Sequence, residues 1–238
     1  MKKKILIALA IVAAIVIIGI GYIVVKDLKQ EDKLKQELKE INKLANAQNI
    51  NIDEINKRLE STITTGDYEI VEKAYKQYLK DSFDNSIQIA TLLNDEKISD
   101  ILTANNYTND GPDFINTKQY LSETIEKLET CKEKYNEFFT EEKSMSYIND
   151  KNLDSYYIEF FKNEMMGDIS TENQDKTVEN AVNQVINLLK DSDKIIDFLI
   201  SNKGNWQING ENIEFNSDKL ADDYNNMLNS IKEEALQQ

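Results

Sequence analysis

Any chemistry in this chain has to be carried by carboxylates, lysines and phenols, because it contains no histidine and only one cysteine, Cys131. Without an imidazole there is no Ser-His-Asp or Cys-His nucleophile, no His-ligated zinc and no ordinary general base at neutral pH. A single thiol forms no intrachain disulfide. Paired carboxylates remain, as in glycoside hydrolysis, but with 43 acidic side chains no one pair stands out. Glu159 is the most interesting of them, since it lies within the aromatic run "LDSYYIEFF", where an apolar setting would raise its pKa. Ser155, Glu159 and Lys162 share one helical stripe, however, which reads as a solvated strip. Cys131 falls on an apolar stripe with no motif to lower its pKa, and reads as a small buried hydrophobe. "DKNLDSYYIEFF" opens like a calcium loop with Asp150, Asn152 and Asp154, then places Ser155 where the loop needs glycine and Phe161 where it needs a bidentate glutamate. The sequence thus assigns no catalytic residue, no cofactor and no metal ligand. What it offers is contact chemistry: Tyr156, Tyr157, Phe160 and Trp206 are the candidate partner-contact residues, each also readable as core.

The strongest single feature is the apolar run Ile5–Val25, 21 residues without a charge. As a helix it would span about 31 Å, the thickness of a bilayer's hydrocarbon core. A signal peptide has a shorter apolar stretch and a small-x-small cleavage site, for which Gly19-Ile20-Gly21 would serve. Against cleavage, Tyr22-Ile23-Val24-Val25 continues the run and a charged helix follows at once, so an uncleaved signal-anchor is expected. Lys2, Lys3 and Lys4 precede the run while Lys26, Lys29, Lys33, Lys35 and Lys39 follow it, so a literal count of positive charge does not fix orientation. The short cationic tail favours a cytoplasmic N-terminus, with the body of the chain extracellular.

That body is acidic. Residues 1–26 hold four lysines and no acid, so 24 basic and 43 acidic groups lie beyond Lys26, a net charge of −19. Such a surface repels polyanions, which argues against nucleic acid as a partner. Twenty-seven lysines against the single Arg58, with abundant Asn, Ile and Tyr, follow A/T-rich codon usage and point to a low-GC bacterium.

Positioning falls to helices. Leu34, Leu38, Ile41, Ala45, Gln48, Ile52, Ile55, Leu59 and Thr62 alternate four-three spacing, a heptad seam that suits either a dimeric stalk or one helix of a bundle. Asn51 with Glu54 reads as a capping box, which breaks the seam near Ala47–Asn51. "GDYEIVEKAYKQYLKDSFDNSIQIATLLND" predicts a helix of about 27 residues with Tyr68, Val71, Tyr75, Tyr78 and Phe83 on its apolar face. One short helix over "EKISDILTANNY", a stop at "TNDGPD", and further helices over "FINTKQYLSETIEKLETCKEKYNEFF", "LDSYYIEFFKNEMM" and "TVENAVNQVINLLKDSDKIIDFLI" follow. "GNWQINGENIEFNS" alternates about Asn209-Gly210 and predicts a β-hairpin. A four-residue loop Asn209–Asn212 would pair Trp206 with Phe215 and Ile208 with Ile213. Ser217 then caps a last helix.

The expected fold is mainly α: an N-terminal transmembrane helix (1–26), a charged stalk or first bundle helix (27–65), and an acidic antiparallel helical bundle (66–238) with a hairpin at 205–216. The expected partners are the lipid bilayer through Ile5–Val25 and a protein or peptide at the cell surface, with homo-oligomerisation through Leu34–Leu59 open. The expected role is a membrane-anchored binding or adaptor protein. A carboxylate-dependent envelope hydrolase and a structural oligomeric stalk are the alternatives.

Overall fold

A computed structural model describes residues 29–45, 47, 50–167 and 176–236. The described chain is mainly helical: α1 Lys29–Ala45, α2 Ile52–Glu60, α3 Asp67–Leu93, α4 Lys97–Asp100, α5 Ala104–Asp110, α6 Ile115–Glu137, α7 Glu141–Met145, a 3₁₀ turn Asn149–Lys151, α8 Ser155–Phe160, a π-helical stretch Phe161–Met166, α9 Lys176–Ser201, and α10 Asp218–Leu236. Between α9 and α10 lies a two-stranded antiparallel hairpin, β1 Trp206–Asn209 and β2 Asn212–Phe215. Among the described residues no helix is long and apolar enough to cross a membrane. The expected anchor Ile5–Val25 lies outside the described residues.

The helix boundaries follow from local chemistry. Asn51 caps α2, its side chain accepting the Glu54 N–H at 3.1 Å, so the heptad seam breaks where the sequence indicates. The expected single helix over "EKISDILTANNY" is two, because Thr103 adopts an extended backbone and caps α5 through the Asn106 N–H. The helix over "LDSYYIEFFKNEMM" changes pitch. Hydrogen bonds closed from i to i+5 widen the turn there, and Phe160, Phe161, Met165 and Met166 are all buried.

The chain divides into two compact units, Met1–Thr91 with Cys131–Val178 and Leu92–Thr130 with Glu179–Gln238. In the first, Leu34, Leu38, Ile41 and Ala45 of α1 and Ile55 and Leu59 of α2 join Tyr68, Val71, Tyr75, Tyr78 and Phe83 of α3 and the Phe160–Met166 face in one core. The heptad seam is therefore spent inside the chain. Each buried Leu or Ile is worth about 1.5–3 kcal/mol, so a stalk built on that face would first have to expose it.

In the second unit the hairpin pairs Trp206 with Phe215 and Ile208 with Ile213, the expected register. The loop is tighter than expected, since Asn209 and Asn212 also pair and only Gly210-Glu211 turn. Gly210 takes φ 65°, where a side chain would be strained. The Trp206 ring lies 6.0 Å from that of Phe114, and its indole N–H donates to the Leu199 carbonyl at 2.8 Å. The Tyr107 and Tyr224 hydroxyls meet at 2.8 Å, and Lys118 bridges Asp193 and Asp197 at 2.8 and 2.7 Å.

Candidate functional site

Three polar features of the first unit bear on function. The deepest is a chain of charges. Glu72 and Lys76, one turn apart on α3, are 0% and 1% exposed. The Lys76 ammonium meets Glu72 Oε1 at 2.8 Å and Glu37 Oε1 at 3.2 Å, and donates to the carbonyls of Arg58 and Ser61 at 2.9 and 3.0 Å. Arg58 Nη1 donates to the other Glu37 oxygen at 2.7 Å. Glu72 also accepts the N–H groups of Ile63 and Thr64 and the Thr64 hydroxyl, the last at 2.6 Å. Burial pushes the Glu72 carboxyl up, but these donors outweigh it and hold it below its ordinary value. Glu37 and Glu72 are balanced by Lys76 and Arg58, with Glu54 a third acid at the exposed edge beside Arg58, and the cluster fixes the 58–64 segment against α3. It reads as a structural clamp: the Glu72 oxygens and the Lys76 ammonium are held on several sides, while Arg58 Nε has no hydrogen bond and only the Glu54 carboxylate near it at 3.5 Å.

The second feature contains the expected contact residues. Glu31, in the first turn of α1, is buried, and its Oε1 accepts the hydroxyls of Tyr68 and Tyr156 at 2.7 Å each. Burial, then the bonds to Tyr156 and Glu31, push the Tyr68 phenol above its ordinary value. Tyr157 stands edge-on to Tyr68 at 5.1 Å and Phe160 at 5.8 Å. Of the four expected contact residues, Tyr156 remains exposed, Tyr157 is half-buried and packed on the core, and Phe160 is buried within it. Trp206 belongs to the second unit, half-buried in the hairpin. Glu159 is exposed, and Cys131 is buried, which pushes its thiol up. Asp154 caps α8 through the Tyr156 N–H instead of opening a calcium loop. Among the described residues no group of three His, Cys, Asp or Glu side chains is placed to hold a metal ion.

The third feature is a cleft of about 350 Å³, lined by Asp81, Asp84, Asn85 and Gln88 of α3, Lys134 and Glu137 of α6, and Phe138, Lys143 and Tyr147 beyond it. The Lys143 ammonium lies 5.5 Å from the centre of the Phe138 ring and 5.6 Å from that of Tyr147. The Tyr147 hydroxyl donates to Asp81 Oδ2 at 2.7 Å, and burial together with that bond raises its pKa. Asp84 pairs with Lys80 at 2.9 Å. Asn85 anchors the floor, its Nδ2 donating to the Cys131 carbonyl at 3.1 Å. Two aromatic faces and three carboxylates make this a place where a cation is stabilised, and a lysine of the chain already rests there. Asp81 and Asp84 lie on one helix with partners of their own, an arrangement unlike two acids facing each other across a sugar. The sequence missed the cleft because its residues are scattered from Asp81 to Tyr147, and the charged ones among them read as ordinary solvated helix positions.

The described chain is thus mainly helical, and the cleft of its first unit seats the ammonium of the chain's own Lys143. Compared with known proteins, the chain matches no family model, no curated protein and no solved structure.

Proposed function

We propose that this chain is a membrane-anchored extracytoplasmic binding protein of the bacterial envelope, whose acidic body takes a basic segment of a partner protein or peptide. One observation carries the reading: in the cleft the Phe138 and Tyr147 rings carry an ammonium beside Asp81, Asp84 and Glu137. A partner lysine or arginine finds there the same rings and carboxylates that hold Lys143, and a net charge of −19 beyond Lys26 draws it in. The run Ile5–Val25 tethers the body, so that capture takes place in a thin layer where effective concentration is high without further contacts.

The test is titration of the full chain in lipid nanodiscs with a lysine-rich peptide, at two salt concentrations. Saturable binding that weakens with salt, and weakens about three- to tenfold further in the Asp84→Asn/Glu137→Gln variant, is the expected result. Binding indifferent to that variant would place the contact elsewhere, and no binding would sink the reading. Protease treatment of intact cells checks the topology, since an extracytoplasmic body is degraded from outside.

A further inference from the structure

Large apolar side chains are exposed at four described positions: Ile52, Ile63, Ile115 and Tyr156, at 41%, 37%, 72% and 48%. Two of them flank the start of α1. Tyr156 is held there by its bond to Glu31. Ile63 is held by the neighbouring bond of Gln30 Nε2 to Thr65 Oγ1 at 2.9 Å and by the clamp that takes the Ile63 N–H into Glu72. Ile52 begins α2 and so belongs with the opposite end of α1, past Ala45.

We infer that Ile63 and Tyr156 form a rim that seats in the interfacial layer of the bilayer holding residues 5–25. The inference rests on the anchor reading above. Glu31 follows Val25 by six residues, and a chain reaches at most about 3.5 Å per residue, so the backbone of Glu31, whose side chain holds Tyr156, stands within about 21 Å of the end of the apolar run. An exposed aromatic ring favours that layer because it leaves water without entering the hydrocarbon core. Here the hydroxyl is turned inward to Glu31, which leaves the ring edge as the outward surface. Exposed Lys29 and Lys33 on the same end of α1 supply apolar stems that lie along the interface, but exposed Asp32 stands between them and the body is acidic, so the apolar side chains and not charge carry the seating. The body then docks in one orientation, with this end of α1 against the bilayer.

The experiment uses the full chain in vesicles of phosphatidylcholine and phosphatidylglycerol, with or without lipids brominated high on the acyl chain, which quench nearby indole emission. Three variants are read in a Trp206→Phe background: Ile63→Trp, Tyr156→Trp and, as the far-end control, Ile52→Trp. If the background fails to fold, each variant is read as its excess emission over the unaltered chain. Loss of emission at positions 63 and 156 but not 52 is the expected result. Equal emission with and without bromine at all three positions, in protein that floats with the vesicles, overturns the rim while leaving the anchor standing. Equal quenching at all three positions overturns the single orientation. Protein that does not float with the vesicles fails the anchor reading, and the rim falls with it.

Discussion

Replacing Lys76 by methionine keeps the bulk of the side chain and removes only its ammonium, which makes it the sharpest test of the buried clamp. The loss is large because four acceptors between 2.8 and 3.2 Å, two carboxylates and two carbonyls, lose their donor together. Glu72 is left fully buried with a charge and no cation, and Glu37 keeps only Arg58. Breaking a buried pair from one side costs about 3–5 kcal/mol. For a chain of this size that corresponds to a fall in Tm of roughly 10 °C. The transition is followed by circular dichroism, and hydrogen exchange over residues 61–66 reports on the clamped segment itself, whose Ile63 and Thr64 amides point at Glu72. Adding Glu72→Gln to Lys76→Met removes the stranded charge, so the double variant loses at least about 1 kcal/mol less than the two single losses summed. pH supplies an independent check. Glu72 is held below its ordinary pKa, so its contribution is present above that ordinary value and is lost as pH falls through the folded one. Without the ammonium that pKa rises and acid unfolding starts at higher pH. A loss below about 1 kcal/mol with unchanged exchange at residues 61–66 would be the behaviour of a solvated ion pair, and would refute the clamp.

Other substitutions separate backbone conformation from space. Gly111→Ala destabilises by about 1–3 kcal/mol in denaturant unfolding although its φ of −74° suits any residue, because the new Cβ would stand 2.3 Å from the Tyr107 carbonyl oxygen. Gly210→Ala meets no atom within 4 Å and costs about 1–2 kcal/mol through its φ of 65° alone, so Gly210→Asn recovers part of that loss whereas Gly111→Asn recovers none. Asn51→Ala removes the α2 cap and costs about 1 kcal/mol, with faster exchange confined to the first turn of that helix. In an alkaline titration followed by phenolate absorbance, Tyr68, Tyr75, Tyr78 and Tyr107 lag behind the ordinary value of 10.0, since burial raises all four. Their contribution is complete below that value and is lost as pH climbs above it, so unfolding and ionisation advance together.

Where side chains obey one period, the sequence is enough. The 27 residues of α3, the Asn51 break and the pairing of Trp206 with Phe215 follow from apolar spacing and turn chemistry alone. The pitch change at Phe161 was not legible, because apolar residues on all sides of "YYIEFFKNEMM" suit either helix and only the surrounding core selects one. Nor was the clamp. Its Glu37 sits in "KQEDKLKQELKE", which reads as a solvated charged helix, yet Glu37 is buried with Arg58 and Lys76, and Glu31 of the same stretch is buried against Tyr68 and Tyr156. One signal was present: Glu72 and Lys76 fall within the apolar stripe of α3, between Val71, Tyr75 and Leu79, where a helix with a wet face would carry no i, i+4 ion pair.

If the chain is anchored as proposed, the clamp also decides what kind of tether it has. At most Asp27 and Leu28 separate the expected anchor segment, residues 1–26, from the part of α1 described from Lys29 onward. Two residues reach about 7 Å, too little for the body to swing freely. α1 itself cannot peel away to lengthen the leash, because doing so would expose Leu34, Leu38 and Ile41 and unmake the bonds of Glu31 and Glu37 at a cost of many kcal/mol. On the anchor reading, force or position at the membrane is passed to the first unit through one packed helix. The cleft between Asp84, Glu137 and Lys143 belongs to that same unit. A partner bound there is therefore held at a set height above the bilayer, which a glycine- and serine-rich linker in place of Asp27-Leu28 would abolish while leaving the affinity of the cleft unchanged.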